Sequence, residues 1–341
     1  MSDGKNITIK DIAREAGVSV ATVSRVINSK EVVDKNTRKK VLKIIHKYNY
    51  FPNFYARALV SKSKNSIGLI FPYNENMLSD LYLTEITYFI EKEVIKRGYD
   101  FSLFFSHYNT IEDIENQYLN LFNSGKIQAL IIGGVQLRDE SVKPLIKDNY
   151  PFVLIGSYLG YLKYNYVDVD HRKAVKDTVL YFLEKQKRKI YYFGSSPLFS
   201  SAVDKINGFK DAMAEYNLKG VDKYIFLNIS WYDEAFNLVT NLIKENNLPE
   251  VIFCDHDMSA LGALNALLRN NIKVPEEISV VGYNDIKIDR FIYPSLSTIK
   301  LPIDEIAKNA VTMLIKLIEG KRKKLKGKIL EGKFIKRESS I

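Results

Sequence analysis

The alternation of short apolar runs with amphipathic stretches after residue 66 constrains the fold of this chain most strongly. Eight apolar runs predict strands at 66–71, 100–105, 129–133, 152–156, 189–194, 224–227, 251–254 and 279–282. Helical periodicity between most of them predicts helices at 84–97, 111–123, 172–186, 202–217, 233–246 and 258–270. Regular alternation of strand and helix implies an α/β fold with doubly wound parallel sheets. A break near 158–166 suggests two such sheets, so we expect two subdomains that face a cleft.

The positive charge of the chain is concentrated at its N-terminus. The 341 residues contain 50 lysines and arginines and 40 acidic residues, and residues 1–66 alone contain 14 basic and 5 acidic ones. The last segment, 321–341, has 9 basic and 2 acidic residues, which leaves 67–320 acidic overall. A basic N-terminal segment on an acidic body suggests a polyanionic partner. The charge run at 321–328 itself is typical of a solvated loop, and the stretch 330–335 that follows it predicts a closing strand.

The basic segment has the pattern of three short helices. A capping box at 8–11 opens the first helix and Gly17 ends it. After a three-residue turn Ser19 caps the second helix, and a third begins near 34–37. Three short helices with a tight glycine-containing turn predict a helix-turn-helix.

The second helix carries side chains suited to reading DNA. Placed in the major groove, Arg25 can bond to guanine O6 and N7, and Val20 and Ala21 can contact thymine methyl groups. Hydroxyl and amide groups for phosphate contacts are supplied by Thr8, Ser19, Thr22, Ser24 and Asn28. From charge alone, a surface helical hairpin with solvated lysines explains the segment equally well. Spacing, caps and charge asymmetry together favour DNA.

Two stretches of this segment resemble the LacI/GalR transcription regulators. They are ITIKDIAREAGVSVATVSRVIN at 7–28, similar to the family's N-terminal signature, and YFPNFYARAL at 50–59, similar to its hinge helix. The resemblance implies a homodimer on double-stranded operator DNA, a pseudo-palindrome with a central CG step. It adds Asn53 and Leu59 to the DNA contacts, with Leu59 as an apolar wedge in the minor groove.

The resemblance also implies a domain layout. The DNA-binding domain would cover 1–60, with the helix-turn-helix at about 9–28 and the hinge helix at about 53–60, followed by a linker at 61–66. The remainder, 67–341, would be a periplasmic-binding-protein-like effector and dimerisation domain of two α/β subdomains. Their expected segments are 67–158 with 297–320, and 166–285 with 329–341.

The cleft is the expected effector site, because ligands of open parallel sheets bind beyond the carboxyl ends of the strands. Hydroxyl, amide, carboxylate and aromatic groups follow many of the predicted strands and suit a neutral polyhydroxylated ligand, although turns alone also favour such residues. His256 stands where the family usually has asparagine, and Asn284 where it has aspartate. Val203 replaces a common ligand-binding arginine, with Lys205 nearby. The expected effector contacts are Tyr73, Asp80, Tyr82, Lys205, Trp231, His256 and Asn284.

Several functional classes lack support in the sequence. Cys254 is the single cysteine, and the four histidines have no metal-ligand spacing. Neither a phosphate-binding glycine loop nor a nucleophile-base constellation occurs, so we expect no metal, no cofactor and no catalytic residues. With no export signal and no run long enough to span a bilayer, we expect a cytoplasmic protein with no membrane partner.

These observations predict a regulator that represses a carbohydrate-utilisation operon and responds to a small-molecule effector, a sugar or sugar derivative. Two alternatives stay open. One is a cytoplasmic sugar-binding module or enzyme that the basic segment tethers to nucleic acid. The other is a catabolite-control regulator that uses a protein corepressor.

Overall fold

The computed structural model describes residues 8–27, 33–48, 65–72, 79–106, 110–158, 160, 163–320 and 327–341. The chain divides into two compact units, Met1–Lys64 and Asn65–Ile341. The described part of the predicted linker includes Ser66, which begins the first strand and therefore belongs to the second unit.

The first unit contains three short helices around a small apolar core. They are α1 (Ile9–Ala16), α2 (Val20–Ile27) and α3 (Lys35–Lys47). Thr8 and Asp11 form the predicted capping box, because the Asp11 amide donates to Thr8 Oγ1 and the Thr8 amide donates to the Asp11 carboxylate. Gly17 ends α1 with a φ of 65°, a left-handed conformation that favours glycine. The side chains that form the buried core are Ile12, Ala13, Ala16, Val23, Val26, Val41 and Ile44.

The second unit contains two parallel sheets. Within the described residues, the strands of the first are β1 (Ser66–Phe71), β2 (Asp100–Phe105), β3 (Ala129–Gly133), β4 (Phe152–Ile155), β5 (Tyr166–Val169) and β11 (Gly327–Leu330). Their spatial order is β2-β1-β3-β4-β5-β11, and every pair is parallel. The associated helices are α4 (Leu81–Lys96), α5 (Ile111–Asn123), α6 (Lys143–Lys147) and α11 (Ile303–Ile318).

The second sheet repeats this winding. Its described strands are β6 (Ile190–Gly194), β7 (Ile225–Leu227), β8 (Val251–Cys254), β9 (Ser279–Asn284), β10 (Ser297–Lys300) and β12 (Lys333–Ile335). The spatial order is β7-β6-β8-β9-β10-β12, and β12 runs antiparallel to β10. Its helices are α7 (His171–Glu184), α8 (Ser200–Glu215), α9 (Tyr232–Lys244) and α10 (Asp257–Arg269). The predicted class, two doubly wound α/β subdomains, is confirmed.

The chain passes between the two subdomains three times. The crossings lie between β5 and α7, between β10 and α11, and between β11 and β12. Helix α7 packs against α8 and contacts β10 and β12, whereas α11 packs against α4 and contacts β3, β4 and β5. Each crossing therefore occurs within a few residues of a strand end.

The predicted subdomain boundaries need correction at these crossings. The segment from 166 was assigned to the second subdomain, but β5 lies in the first sheet. The segment 297–320 was assigned to the first, yet its strand β10 joins the second sheet and only α11 packs on the first. Residues 329–341 were assigned to the second, but β11 pairs with β5 in the first sheet. The subdomain to which a strand belongs depends on which neighbour it pairs with. The apolar run of a strand does not specify that neighbour.

Four strands were missed or misread in the sequence. In β5 a buried aspartate, Asp168, interrupts the apolar pattern. Strand β10 contains Ser297 and Thr298, whose side chains are buried through hydrogen bonds. A single closing strand was expected at 330–335, but Leu330 ends β11 and Lys333 begins β12 in the other sheet. The basic run expected as a loop ends inside β11, and its residues 321–326 lie outside the described part.

The two sheets owe their stability to strands that are buried on both faces. Ile67, Leu69, Ile131, Val153 and Phe253 are all fully enclosed. Parallel strands covered by helices on both sides lack the alternation of half-exposed strands, which explains the continuous apolar runs. None of the described helices is long and apolar enough to cross a membrane.

Candidate functional site

The outer face of α2 carries the residues expected to read DNA. Val23 and Val26 are buried in the helical core, and this orientation leaves Val20, Ala21 and Arg25 exposed. Val20 is 41% exposed, so its apolar side chain is available for contact. The helix therefore presents two apolar contacts and one guanidinium on the same outer surface.

The start of α2 is fixed by hydroxyl groups. The Thr22 amide donates to Ser19 Oγ at 3.1 Å, and the two side-chain oxygens are 2.9 Å apart. Thr8 and Ser19 are exposed, and Thr22 and Ser24 are half-buried. The expected DNA contacts Asn28, Asn53 and Leu59 lie outside the described residues.

The described acidic side chains of the first unit are engaged in local interactions. Asp11 belongs to the capping box, Glu15 accepts from Lys47 at 2.8 Å, and Asp34 accepts from the Asn36 and Thr37 amides. The hydrogen bond from Lys47 is the main cause that lowers the pKa of Glu15. These contacts do not change the net positive charge of the unit, which therefore suits a polyanionic partner.

The second unit has a cavity of about 660 Å³ between its subdomains. Residues at or just after the carboxyl ends of both sheets line it, including Pro72, Ser106 and Gly156 from the first and Ser195 and His256 from the second. The volume lies in the range typical of small-molecule sites. The cleft therefore lies where parallel sheets bind ligands.

The structure brings most of the expected effector contacts together. The described members of the set that line the cavity are Asp80, Tyr82, Lys205, Trp231, His256 and Asn284. Tyr73, the remaining member, lies outside the described residues. The post-strand pattern and the resemblance thus identified side chains that converge in space.

Asp80 and Tyr82 are positioned by the start of α4. Asp80 Oδ1 accepts from the Tyr82 amide at 2.9 Å and from the Leu83 amide at 3.1 Å, which caps the helix. Burial raises the pKa of the Tyr82 hydroxyl, with further increments from the charges of Asp168 and Asp80. The phenol therefore stays protonated and can donate to a ligand.

Lys205 is buried in the wall of the cleft with only 5% of its surface exposed. Its Nζ donates to the Asp255 carbonyl oxygen at 3.0 Å and lies 4.2 Å from the centre of the Tyr283 ring. Burial lowers the pKa of Lys205, and the carboxylates of Asp255, Asp257, Asp80 and Asp168 oppose that shift. The lysine is thus held by protein groups in a field dominated by carboxylates.

His256 is linked to Ser195 and Asp255. His256 Nε2 lies 3.1 Å from Ser195 Oγ, and Ser195 Oγ lies 2.7 Å from Asp255 Oδ2. The Ser195 amide also donates to that carboxylate oxygen, at 2.8 Å. Burial lowers the pKa of His256, although the charges of Asp255 and Asp80 oppose the shift.

Sequence reasoning missed a second histidine of the cleft. His171 Nδ1 lies 2.6 Å from the Tyr283 hydroxyl, and its Nε2 lies 3.2 Å from Asp168 Oδ1. Asp168 lies in β5 of the first sheet and Tyr283 lies in β9 of the second. The buried contacts of His171 with these two residues therefore join the subdomains beside the first crossing. Its position at the first residue of a helix carries no motif from which a binding role could be read.

A buried pair of carboxyl groups lies behind the cleft. Asp257 Oδ1 accepts from Thr298 Oγ1 at 2.6 Å, and its Oδ2 accepts from the Ile286 amide at 3.1 Å. Asp289 is fully buried, and neither of its oxygens receives a hydrogen bond from a described group. Burial and the neighbouring Asp257 charge raise the pKa of Asp289 to about 10. Asp289 is therefore the protonated member of the pair at neutral pH, and a hydrogen bond with Asp257 contributes to the raised pKa.

The neighbouring Asp285 forms salt bridges with two arginines. Arg290 donates to its Oδ2 at 2.9 Å, and Arg337 donates to its Oδ1. Asn284 and Asp285 have φ values of 121° and 61°, so the turn that presents Asn284 to the cleft has a backbone that few residues adopt.

Comparisons with known proteins fit both parts of this arrangement. The family description "Bacterial regulatory proteins, lacI family" matches residues 8–53, and "Periplasmic binding protein-like domain" matches residues 179–340. The HTH-type transcriptional regulator RegA of Clostridium saccharobutylicum is 30% identical over 335 residues, which span 98% of this chain and 99% of RegA. The chain belongs to the lacI family. It is a LacI-family transcriptional regulator.

Solved structures show the same fold as this LacI-family chain. The lac repressor dimer bound to operator and the anti-inducer ONPF superposes with a TM-score of 0.85 at 23% identity, covering 99% of this chain and 100% of that one. The transcriptional regulator CelR in complex with cellobiose has a TM-score of 0.73 at 22% identity, covering 98% and 99%. These likenesses confirm the architecture of two doubly wound α/β subdomains.

Proposed function

We propose that this regulator is a repressor that binds a pseudo-palindromic operator as a homodimer and responds to a sugar effector in the cleft. Its targets would be genes of carbohydrate utilisation, and the protein would act in the cytoplasm. The outer face of α2 carries this proposal, because burial of Val23 and Val26 turns Val20, Ala21 and Arg25 outward. The lac repressor structure on operator DNA supports the choice of partner.

Each expected DNA contact has a defined task in this proposal. Arg25 reads guanine through two hydrogen bonds, and Val20 and Ala21 contact thymine methyl groups. Thr8, Ser19, Thr22, Ser24 and Asn28 contact the phosphate backbone and fix the register. Leu59, with Asn53 nearby in sequence, would act in the minor groove at a central CG step, where an apolar wedge kinks the duplex.

The cleft would bind the effector that regulates operator binding. Phe71, Trp231 and Tyr283 line it with aromatic surface, and serine hydroxyls and the amide of Asn284 provide polar groups. Such a mixture suits the C–H faces and hydroxyls of a sugar, and the CelR–cellobiose complex supports that class. An effector changes operator affinity only if it prefers one arrangement of the subdomains.

Selection from random double-stranded DNA with the full-length protein tests the DNA part. We expect enrichment of an inverted repeat with a central CG step, bound more tightly than scrambled DNA at matched salt. Equal affinity for all sequences, with only a salt-dependent component, would contradict the proposal. The effector part is tested by measuring operator affinity with and without sugars.

We propose further that the cleft binds without catalysing a reaction. The relatives named above are regulators, and the carboxylate of Asp255 contacts Ser195 instead of orienting His256 as in a hydrolytic triad. Incubation of the protein with the sugars that bind, followed by chromatography, checks this. Turnover of any of them would favour an enzyme with a nucleic-acid tether.

A further inference from the structure

Hydrogen bonds join Asp255 to Ser195 and Ser195 to His256. The chemistry of each atom determines which group donates and which accepts. Ser195 contributes its backbone N–H, which can only donate, to Asp255 Oδ2 at 2.8 Å. The single hydroxyl hydrogen of Ser195 goes to the same carboxylate oxygen, because that contact is 2.7 Å and the carboxylate accepts. Ser195 Oγ then has only lone pairs left for His256.

The imidazole of His256 must therefore donate to Ser195. The contact joins His256 Nε2 to Ser195 Oγ at 3.1 Å, so Nε2 carries the hydrogen. Burial lowers the pKa of His256, which favours the neutral ring. In a neutral ring with a hydrogen on Nε2, Nδ1 carries a lone pair and accepts hydrogen bonds.

We propose that Asp255 and Ser195 lock His256 in its Nε2–H tautomer, and that Nδ1 thereby selects an effector with a hydroxyl or ammonium donor and no anionic group. The inference rests on the proposed function, since it assumes that the effector occupies the cleft. His256 is then the specificity-determining contact, and Ser195 is a positioning residue that acts through it.

The charges of the cleft agree with this selection. Among the described residues that line the cavity, Lys205 is the single one with a lysine or arginine side chain. Its ammonium already contacts the Asp255 carbonyl and the Tyr283 ring, and four carboxylates act on it.

A phosphate or carboxylate on the ligand would enter the field of these carboxylates, and none of the described residues that line the cavity has a guanidinium to neutralise it. The structure therefore assigns the effector to uncharged or amino-bearing polyhydroxylated molecules. Sugar phosphates and uronates fall outside that class. The lone pair of His256 and the carboxylate of Asp80 would instead accept from hydroxyl or amino groups.

The tautomer can be observed without knowing the effector. Nitrogen-15 labelling of the four histidines of the full-length protein gives two ring-nitrogen signals for each, and His256→Asn assigns one pair. At pH 7.5 we expect His256 to be neutral with its hydrogen on Nε2. Ser195→Ala should convert this signal to a mixture of tautomers, and Ser195→Thr, which keeps the hydroxyl, should preserve it.

A hydrogen on Nδ1, a charged ring, or a tautomer unaffected by Ser195→Ala would overturn the lock. Charge selection is tested by calorimetry on matched probes: glucose, glucosamine, glucose 6-phosphate and glucuronate, then cellobiose and cellobionate. We expect neutral or amino members to bind at least about tenfold more tightly than anionic ones of the same skeleton. We expect Ser195→Ala to weaken the best neutral probe by about tenfold.

Tighter binding of an anionic member, or no binding by any neutral or amino member, would refute the selection. Neither result would affect operator binding, which is measured separately on the same protein. Conversely, failure to select a DNA sequence would refute the repressor and leave the tautomer measurement intact. The two proposals can therefore fail separately.

Discussion

The buried Asp257–Asp289 pair predicts that Asp289→Asn stabilises the protein at neutral pH. An aspartate in an unfolded chain has a pKa near 3.9. In the folded protein the pKa of Asp289 is raised to about 10, because it is buried beside the charge of Asp257. Between those pH values the Asp289 group holds one more proton in the folded state than in the unfolded state, so its contribution to stability falls as the pH rises.

The size of the effect follows from this proton difference. The free energy of unfolding loses about 1.4 kcal/mol per pH unit from this one group, or about 4 kcal/mol between pH 4 and pH 7. An asparagine presents an amide N–H to the Asp257 carboxylate in place of the carboxyl O–H and needs no proton. Allowing for relaxation of the pair, we expect Asp289→Asn to raise the free energy of unfolding by about 2–4 kcal/mol at pH 7.

Urea unfolding at pH 5, 6, 7 and 8 and at fixed protein concentration measures this. The advantage of Asp289→Asn over the natural protein should widen by about 1.4 kcal/mol per pH unit. Asp285→Asn is the matched control: it removes the carboxylate that accepts from Arg290 and Arg337, so it should destabilise throughout this range. A stability difference that does not change with pH, or destabilisation by Asp289→Asn at pH 7, would refute the shared proton.

Three further substitutions test other parts of the molecule. Arg25→Ala should weaken operator binding by about 1–3 kcal/mol and relax the choice at one base pair per half-site, measured by fluorescence anisotropy on single-base operator variants. An equal loss on every sequence would exclude base reading. Leu59→Ala should reduce the preference for operator over scrambled DNA, and unchanged discrimination would argue against the wedge. Gly262→Ala should destabilise by about 1–3 kcal/mol in urea unfolding, because its Cβ would lie 2.1 Å from the Tyr232 carbonyl oxygen. Gly160→Ala, where the nearest atom is at 3.6 Å, is the tolerated control.

The sequence predicted those elements whose information is local. Helix caps such as Thr8 and Gly17 and the buried strands such as β3 depend on residues within one turn or one run. Strand β5 escaped because the buried Asp168, which contacts its sequence neighbours Val169 and His171, interrupts the apolar run. Strand β10 escaped because its polar residue Thr298 donates to Asp257, 41 residues away in the chain. The same distance hid Asp289, whose pKa depends on Asp257, a residue on another element.

The missed elements are also those that connect the cleft to the crossings. His171 follows the first crossing and Leu301 lies in the second, and both line the cavity. The Asp170 amide donates to the Leu330 carbonyl oxygen at 2.9 Å, which ties the first crossing to the third. A ligand that touches His171 or Leu301 therefore contacts the segments that set the angle between the subdomains. Because a ligand shifts a two-state equilibrium only through contacts that differ between the states, these residues are where we expect its preference to arise.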